Sequence, residues 1–240
     1  MKGTGALTAA SALAGAITAA APAAATEDFR VWGALTATVK LGSLDPGLDK
    51  WRLWLESQGR FREDGSVADQ AFGRVGIGYA VSDRLSVWAG YGRFATFRES
   101  GGAQDEDRVW QQALLTEKTP LGDLSSRTRL EQRLIEDVSR VEWRARQQLR
   151  FSRPLAEGSP FSLIVWDEVF LRLNSTTPSA RFGFDQNRGF AGLGYIFSKE
   201  ARLEIGYMNQ LILTRSVSRQ SQRFADRMNH TLSVSLFLSL

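Results

Sequence analysis

Along residues 124–151, charged or strongly polar side chains recur at every second position. Arg127, Arg129, Glu131 and Arg133 share one parity. After a break, Arg140, Glu142, Arg144, Arg146, Gln148 and Arg150 share one parity. Between them stand Leu130 and Leu134, then Val141, Trp143, Ala145, Leu149 and Phe151. A period of two is the signature of strands, because successive side chains point to opposite faces. A helix would scatter the same arginines around its circumference. The stretch therefore predicts a hairpin with one apolar face and one arginine-lined face.

The same alternation runs through the rest of the chain. Residues 51–62 set Trp51, Leu53, Leu55 and Phe61 against Arg52, Glu56, Gln58, Arg60 and Arg62. Residues 71–81 and 85–94 repeat it, with Val75, Ile77, Val87 and Ala89 on one parity and glycines on the other. Residues 29–40, 161–173, 188–197, 201–213 and 228–240 follow the same rule, and 108–118 follows it weakly. The intervening 96–107, 174–187 and 214–227 are polar and read as long loops, whereas 82–83, 119–123 and 198–200 read as tight turns.

Strands of about ten residues with one apolar and one polar face, joined by alternating short and long connections, predict an all-β, antiparallel up-and-down transmembrane β-barrel. Lipid offers no partner to an unpaired strand edge, so the sheet must close. Eleven strand-like segments are visible. Bacterial barrels of one chain have an even number, so the expectation is twelve strands, with ten as the alternative. Trp51, Trp143 and Tyr207 on apolar parities suit an interfacial aromatic girdle. The alternative is a soluble periplasmic β-barrel or sandwich that binds a ligand. There the leucines pack inward and the arginines face water.

Before residue 26 the pattern is different. Lys2 precedes an alanine-rich apolar run over 6–21, and Pro22 is followed by Ala23, Ala24 and Ala25. This predicts a cleaved secretory signal at 1–25 and one barrel domain at 26–240. The 240 residues contain no cysteine, which leaves no disulfide framework and no thiolate metal site. Lys+Arg number 30 against Asp+Glu 26. That excess is small and alternates with apolar residues, unlike a phosphate-tracking patch, and argues against nucleic acid as a partner.

Several short motifs carry a family resemblance. They are Arg127-Thr-Arg129-Leu-Glu131-Gln132-Arg133, Trp143-Arg144-Ala-Arg146, Trp166-Asp167-Glu168-Val-Phe170 and Phe184-Asp185-Gln186-Asn187-Arg188. Gly192-Leu-Gly194-Tyr195, the run Glu204–Gln210 and His230 continue the series. Together they resemble a group of Gram-negative outer-membrane barrels known as domain of unknown function 2490, over essentially all of 28–240. The resemblance implies a bacterial outer-membrane location and a barrel fold, with lipid and the outer-membrane assembly machinery as partners. It implies no activity.

The candidate site is the polar face. Arg127, Arg129, Glu131, Arg133, Arg140, Glu142, Arg144, Arg146, Arg150, Glu168, Arg188 and Glu204 are expected to point into the lumen as a charge network. Arg52, Arg60, Arg62, Arg74, Arg172, Arg202 and Glu56 join them. Such a network either plugs a narrow barrel or lines a narrow channel for small anionic or polar solutes. Asp185, Gln186 and Asn187 are a candidate loop plug, with Asp185 reaching a lumen arginine and Asn209 and Gln210 as hydrogen-bond partners. Asp105-Glu106-Asp107 reads as a solvated acidic loop, with calcium as the sharper alternative. Neither a metal nor another cofactor is expected. An outer-membrane lipid-modifying enzyme needs a nucleophile beside a base, and the single histidine, His230, is of opposite strand parity to Ser233. Catalysis is therefore not expected.

Overall fold

The computed structural model describes residues 26–215 and 224–240. The signal segment expected at 1–25 lies outside them. The described chain is a closed barrel of eleven strands. In order they are β1 (Thr26–Lys40), β2 (Trp51–Arg62), β3 (Val67–Ala80), β4 (Leu85–Phe97), β5 (Ala103–Thr119), β6 (Gly122–Ile135), β7 (Glu142–Pro154), β8 (Phe161–Arg172), β9 (Gly183–Ile196), β10 (Ala201–Arg215) and β11 (Phe224–Ser239). Each pairs antiparallel with the next. Two short 3-10 turns, Leu41–Ser43 and Pro46–Leu48, join β1 to β2.

The expected even strand number is corrected to eleven. No strand is missing from the segments visible in the sequence. An odd meander brings its last strand back in the direction of its first, so closure requires one parallel pair. β1 and β11 make it, in register from Thr26↔Arg227 to Thr38↔Ser239. Backbone bonds from Lys40 to Leu240 (2.7 Å) and from Leu240 to Thr38 (2.8 Å) extend the seam. Thr26 and Leu240 consequently lie at opposite ends of the barrel.

The apolar parity faces outward. Leu55, Val75, Ile77, Val87, Leu149, Leu163, Leu193 and Ile205 are all exposed on the outer wall, Leu149 the most at 54%. The opposite parity is buried in the lumen. It carries arginines and glutamates together with Trp32, Trp88, Phe94, Trp110, Phe170 and Met208. Trp32 crosses the lumen from β1 to pack with Ile164, Phe190 and Met208, and Trp166 stacks flat on Phe190 at 5.2 Å. Bulky inward rings need room, and glycines supply it. A Cβ at Gly76 would stand 2.5 Å from Trp110.

Three expected loops are shorter than the polar composition suggests. β5 begins at Ala103 and β9 at Gly183, while β10 and β11 extend to Arg215 and from Phe224. Exposed loops and a polar lumen select the same side chains, so polarity alone does not tell one from the other. Tyr207 is also corrected. It stands half-way along β10 rather than at a rim, with its hydroxyl 2.5 Å from His230 Nδ1.

Candidate functional site

The lumen wall begins with strand parity and is completed by two bulges. Where the β2–β3 register shifts at Arg60/Phe61, Asp69 is the extra residue; where β8–β9 shifts at Phe170/Leu171, Asp185 is. A bulge places two adjacent residues opposite one, and so lets both turn to the same side. Asp69 and Gln70 both line the lumen, and Asp185 and Gln186 are both buried in it. The loop plug expected at 185–187 is therefore corrected. Asp185 and Gln186 are wall residues of β9, and Asn187 faces outward, donating to Asp167 at 2.9 and 3.0 Å.

From β5 to β9 the inward charges form one chain of alternating sign. Arg108 binds Glu106, which also accepts from Arg133 (2.5 Å). Arg133 continues to Glu142, Glu142 to Arg172 (3.5 Å) and Arg172 to Asp185 (2.5 Å). Asp185 meets Arg144 (3.4 Å), Arg144 binds Glu131 (2.6 Å), and Glu131 accepts from Arg146 (2.7 Å). Arg146 grips Glu168 through two nitrogens (2.9 and 3.0 Å), and Glu168 ends the chain on Arg127 (3.0 Å). Six guanidiniums thus alternate with five carboxylates. Forked, charge-assisted bonds of this kind fix both partners. Buried charges are tolerated because each has an opposite neighbour.

The remaining expected network residues fall outside this chain. Arg150 reaches past β8 and β9 to hold Glu204 bidentately (2.9 and 2.7 Å), and Arg202 shares that carboxylate (2.9 Å). Arg129 is fully buried and donates to Gln112 (2.9 and 2.6 Å), with Glu131 at 3.9 Å. Arg74 pairs with Glu56 (2.8 Å). Arg188 points inward but stands opposite Glu168 without a bond to it. Arg140 is the correction. It lies in the exposed connection before β7, because strand pairing begins only at Glu142 and parity has no meaning ahead of it. Gln210 bonds to Gln186 (2.5 Å) and Asn229 (3.1 Å), whereas Asn209 bonds to the Met228 sulfur and not to the lumen.

Glu106 and Arg108 are the residues that sequence reading missed. The run Asp105-Glu106-Asp107 belongs to β5, not to a loop. Glu106 turns inward, and Asp105 and Asp107 turn outward to bind Arg93. The sequence carries little signal for them, because both parities from Gln104 to Gln112 are mostly polar. Among the described residues no cluster of carboxylates and histidine could hold a metal ion.

A cavity of about 520 Å³ remains between the network on one side and β1–β3 on the other. Its wall carries eleven arginines and four carboxylates, Glu56, Asp69, Glu168 and Glu204. The model of a family described as a protein of unknown function, DUF2490, matches residues 29–221. The chain belongs to this family. An uncharacterised protein of Methylorubrum extorquens is 32% identical over 189 residues, covering 76% of this chain and 78% of that one. No solved structure matches. Family membership carries no assigned activity.

Proposed function

We propose that the protein is an integral outer-membrane β-barrel whose lumen admits small anions. The observation that carries the anion reading is the cavity wall, where arginines outnumber carboxylates eleven to four. An excess of one charge sign in a confined space concentrates the opposite ion.

The membrane reading rests on the outer surface. Exposed Leu, Val, Ile and Phe side chains occur on all eleven strands, far beyond the patch a soluble monomer tolerates. Aromatic clusters border the band at one end: Trp51 against Tyr79 (5.1 Å), and Tyr195 against Phe161 and Phe197 (4.9 and 4.8 Å). Such belts suit a lipid–water boundary. Polar residues within the band satisfy each other. Gln111 and Gln132 exchange two bonds (3.1 and 3.0 Å), and Gln147 binds Thr128 and Ser126. Pairing lowers the cost of facing hydrocarbon. Lipid and the outer-membrane assembly machinery are then the partners, and the signal read at 1–25 is the export route.

The test is a planar-bilayer recording of the purified full chain under a tenfold KCl gradient. The reading predicts small conductance steps whose reversal potential has the sign of chloride selectivity. Silent bilayers, or a cation-selective reversal potential, would overturn it.

A further inference from the structure

Two arginines stand outside the alternating chain and share one indole ring. Arg60, on β2, holds its guanidinium carbon 4.0 Å from the Trp32 ring centroid, and Arg188, on β9, holds its own at 4.9 Å. Among the described residues Arg60 donates only to neutral oxygens: to Gln58 from two nitrogens (2.9 and 2.7 Å) and to Gln70 (2.7 Å). Arg188 makes a long bond to Gln186 (3.5 Å), and its Nε–H meets no acceptor. The Trp32 indole N–H is likewise buried without an acceptor.

The nearby carboxylates are already engaged. Glu168 faces Arg188 across the β8–β9 pair, but its oxygens are held by Arg127 and Arg146. Asp69 and Asp185 immediately precede the glutamines that touch Arg60 and Arg188. Asp69 binds Arg30 (2.8 Å), and Asp185 binds Arg172 and Arg144. Each bulge therefore presents a neutral glutamine to the stacked arginine and spends its carboxylate elsewhere. Trp32 is 3% exposed and Arg188 8%, and both line the cavity with Arg60.

We propose that Arg60, Arg188 and the Trp32 N–H form a binding site for a tetrahedral oxyanion of the phosphate or sulfate type. A guanidinium fork offers parallel N–H groups to two oxygens of one anion. Two forks and an indole N–H suit several oxygens on one centre, whereas a halide presents no oxygen pair to either fork. Stacking on indole keeps both cations in place without a carboxylate to neutralise them. This deepens the anion-lumen reading and rests on it, so binding is measured separately from conductance.

The experiment is calorimetric titration of the refolded full chain in detergent with sodium phosphate, sodium sulfate and sodium chloride at equal ionic strength. Saturable binding of phosphate or sulfate, and none of chloride, is expected. Arg60→Gln and Arg188→Gln each lower the affinity at least tenfold, Arg188→Lys lowers it less, and the exposed Arg140→Gln leaves it unchanged. Heat-modifiable gel migration verifies the barrel in every variant, and Arg60→Lys or Arg188→Lys replaces the glutamine variant at the same position if it fails to fold. Absence of saturable binding, equal response to chloride, or unchanged affinity in both the Arg60 and Arg188 variants would overturn the site. An anion-selective conductance that survives that result would leave the lumen reading standing alone.

Discussion

Glu131 shows what one residue does for this lumen. It is fully buried, and its two oxygens accept from Arg144 (2.6 and 3.0 Å) and Arg146 (2.7 Å). Removing one partner from a buried ionic cluster leaves the others uncompensated, at a cost of roughly 3–5 kcal/mol. Glu131→Gln keeps the shape and removes the charge. It is expected to lower the urea midpoint of barrel unfolding clearly, whereas Gln substitution at exposed Glu136 leaves it unmoved. Equal midpoints for the two would mean that the network does not hold the barrel. At this scale most of the lumen was legible, since strand parity puts the arginines at 129, 133, 144 and 146 on the charged face of their strands. Arg140 and Asp185 were not, because Arg140 precedes the first paired residue of β7 and a bulge breaks the count by one at Asp185. Glu106 was hidden by two acidic neighbours that make a strand resemble a solvated loop.

At the scale of the element, inward rings and glycines are matched across strands. Gly76 on β3 pairs with Gly90 on β4, and Trp110 on β5 lies over both. A Cβ at Gly90 would collide with the Val75 carbonyl oxygen and the Trp110 ring. The carbonyl is backbone and cannot step aside, so Gly90→Ala overpacks the wall. A loss of about 1–3 kcal/mol is expected, read as a lower unfolding midpoint in detergent. Gly33 has open space around its missing Cβ, and Gly33→Ala should be nearly silent. A Gly90→Ala barrel as stable as the parent would show that the β3–β5 wall is looser than described. The glycine row could be read from sequence as permitting close approach. Which ring approaches could not, since Trp110 comes from the next strand and its register is set only on pairing.

The whole molecule depends on closure. Eleven segments were countable in the sequence, but their number was not accepted as a barrel because even strand counts are the rule. The parallel β1–β11 seam escapes any local pattern, as it joins the two most distant strands of the chain. What the alternation did determine is which residues share a face; the structure turns the leucines and valines outward and the guanidiniums within. Whether hydrocarbon surrounds that wall is the central claim. The chain has no cysteine, so single cysteines can carry a nitroxide without background. The most direct measurement is electron paramagnetic resonance of such labels at Val75, Val165 and Ile205, and at inward Ile164, in liposomes. Oxygen, which dissolves in lipid, should relax the three outward labels far more than a water-soluble nickel chelate does, and should relax Ile164 little. Greater access of the nickel chelate than of oxygen at Val75, Val165 and Ile205 would contradict the account.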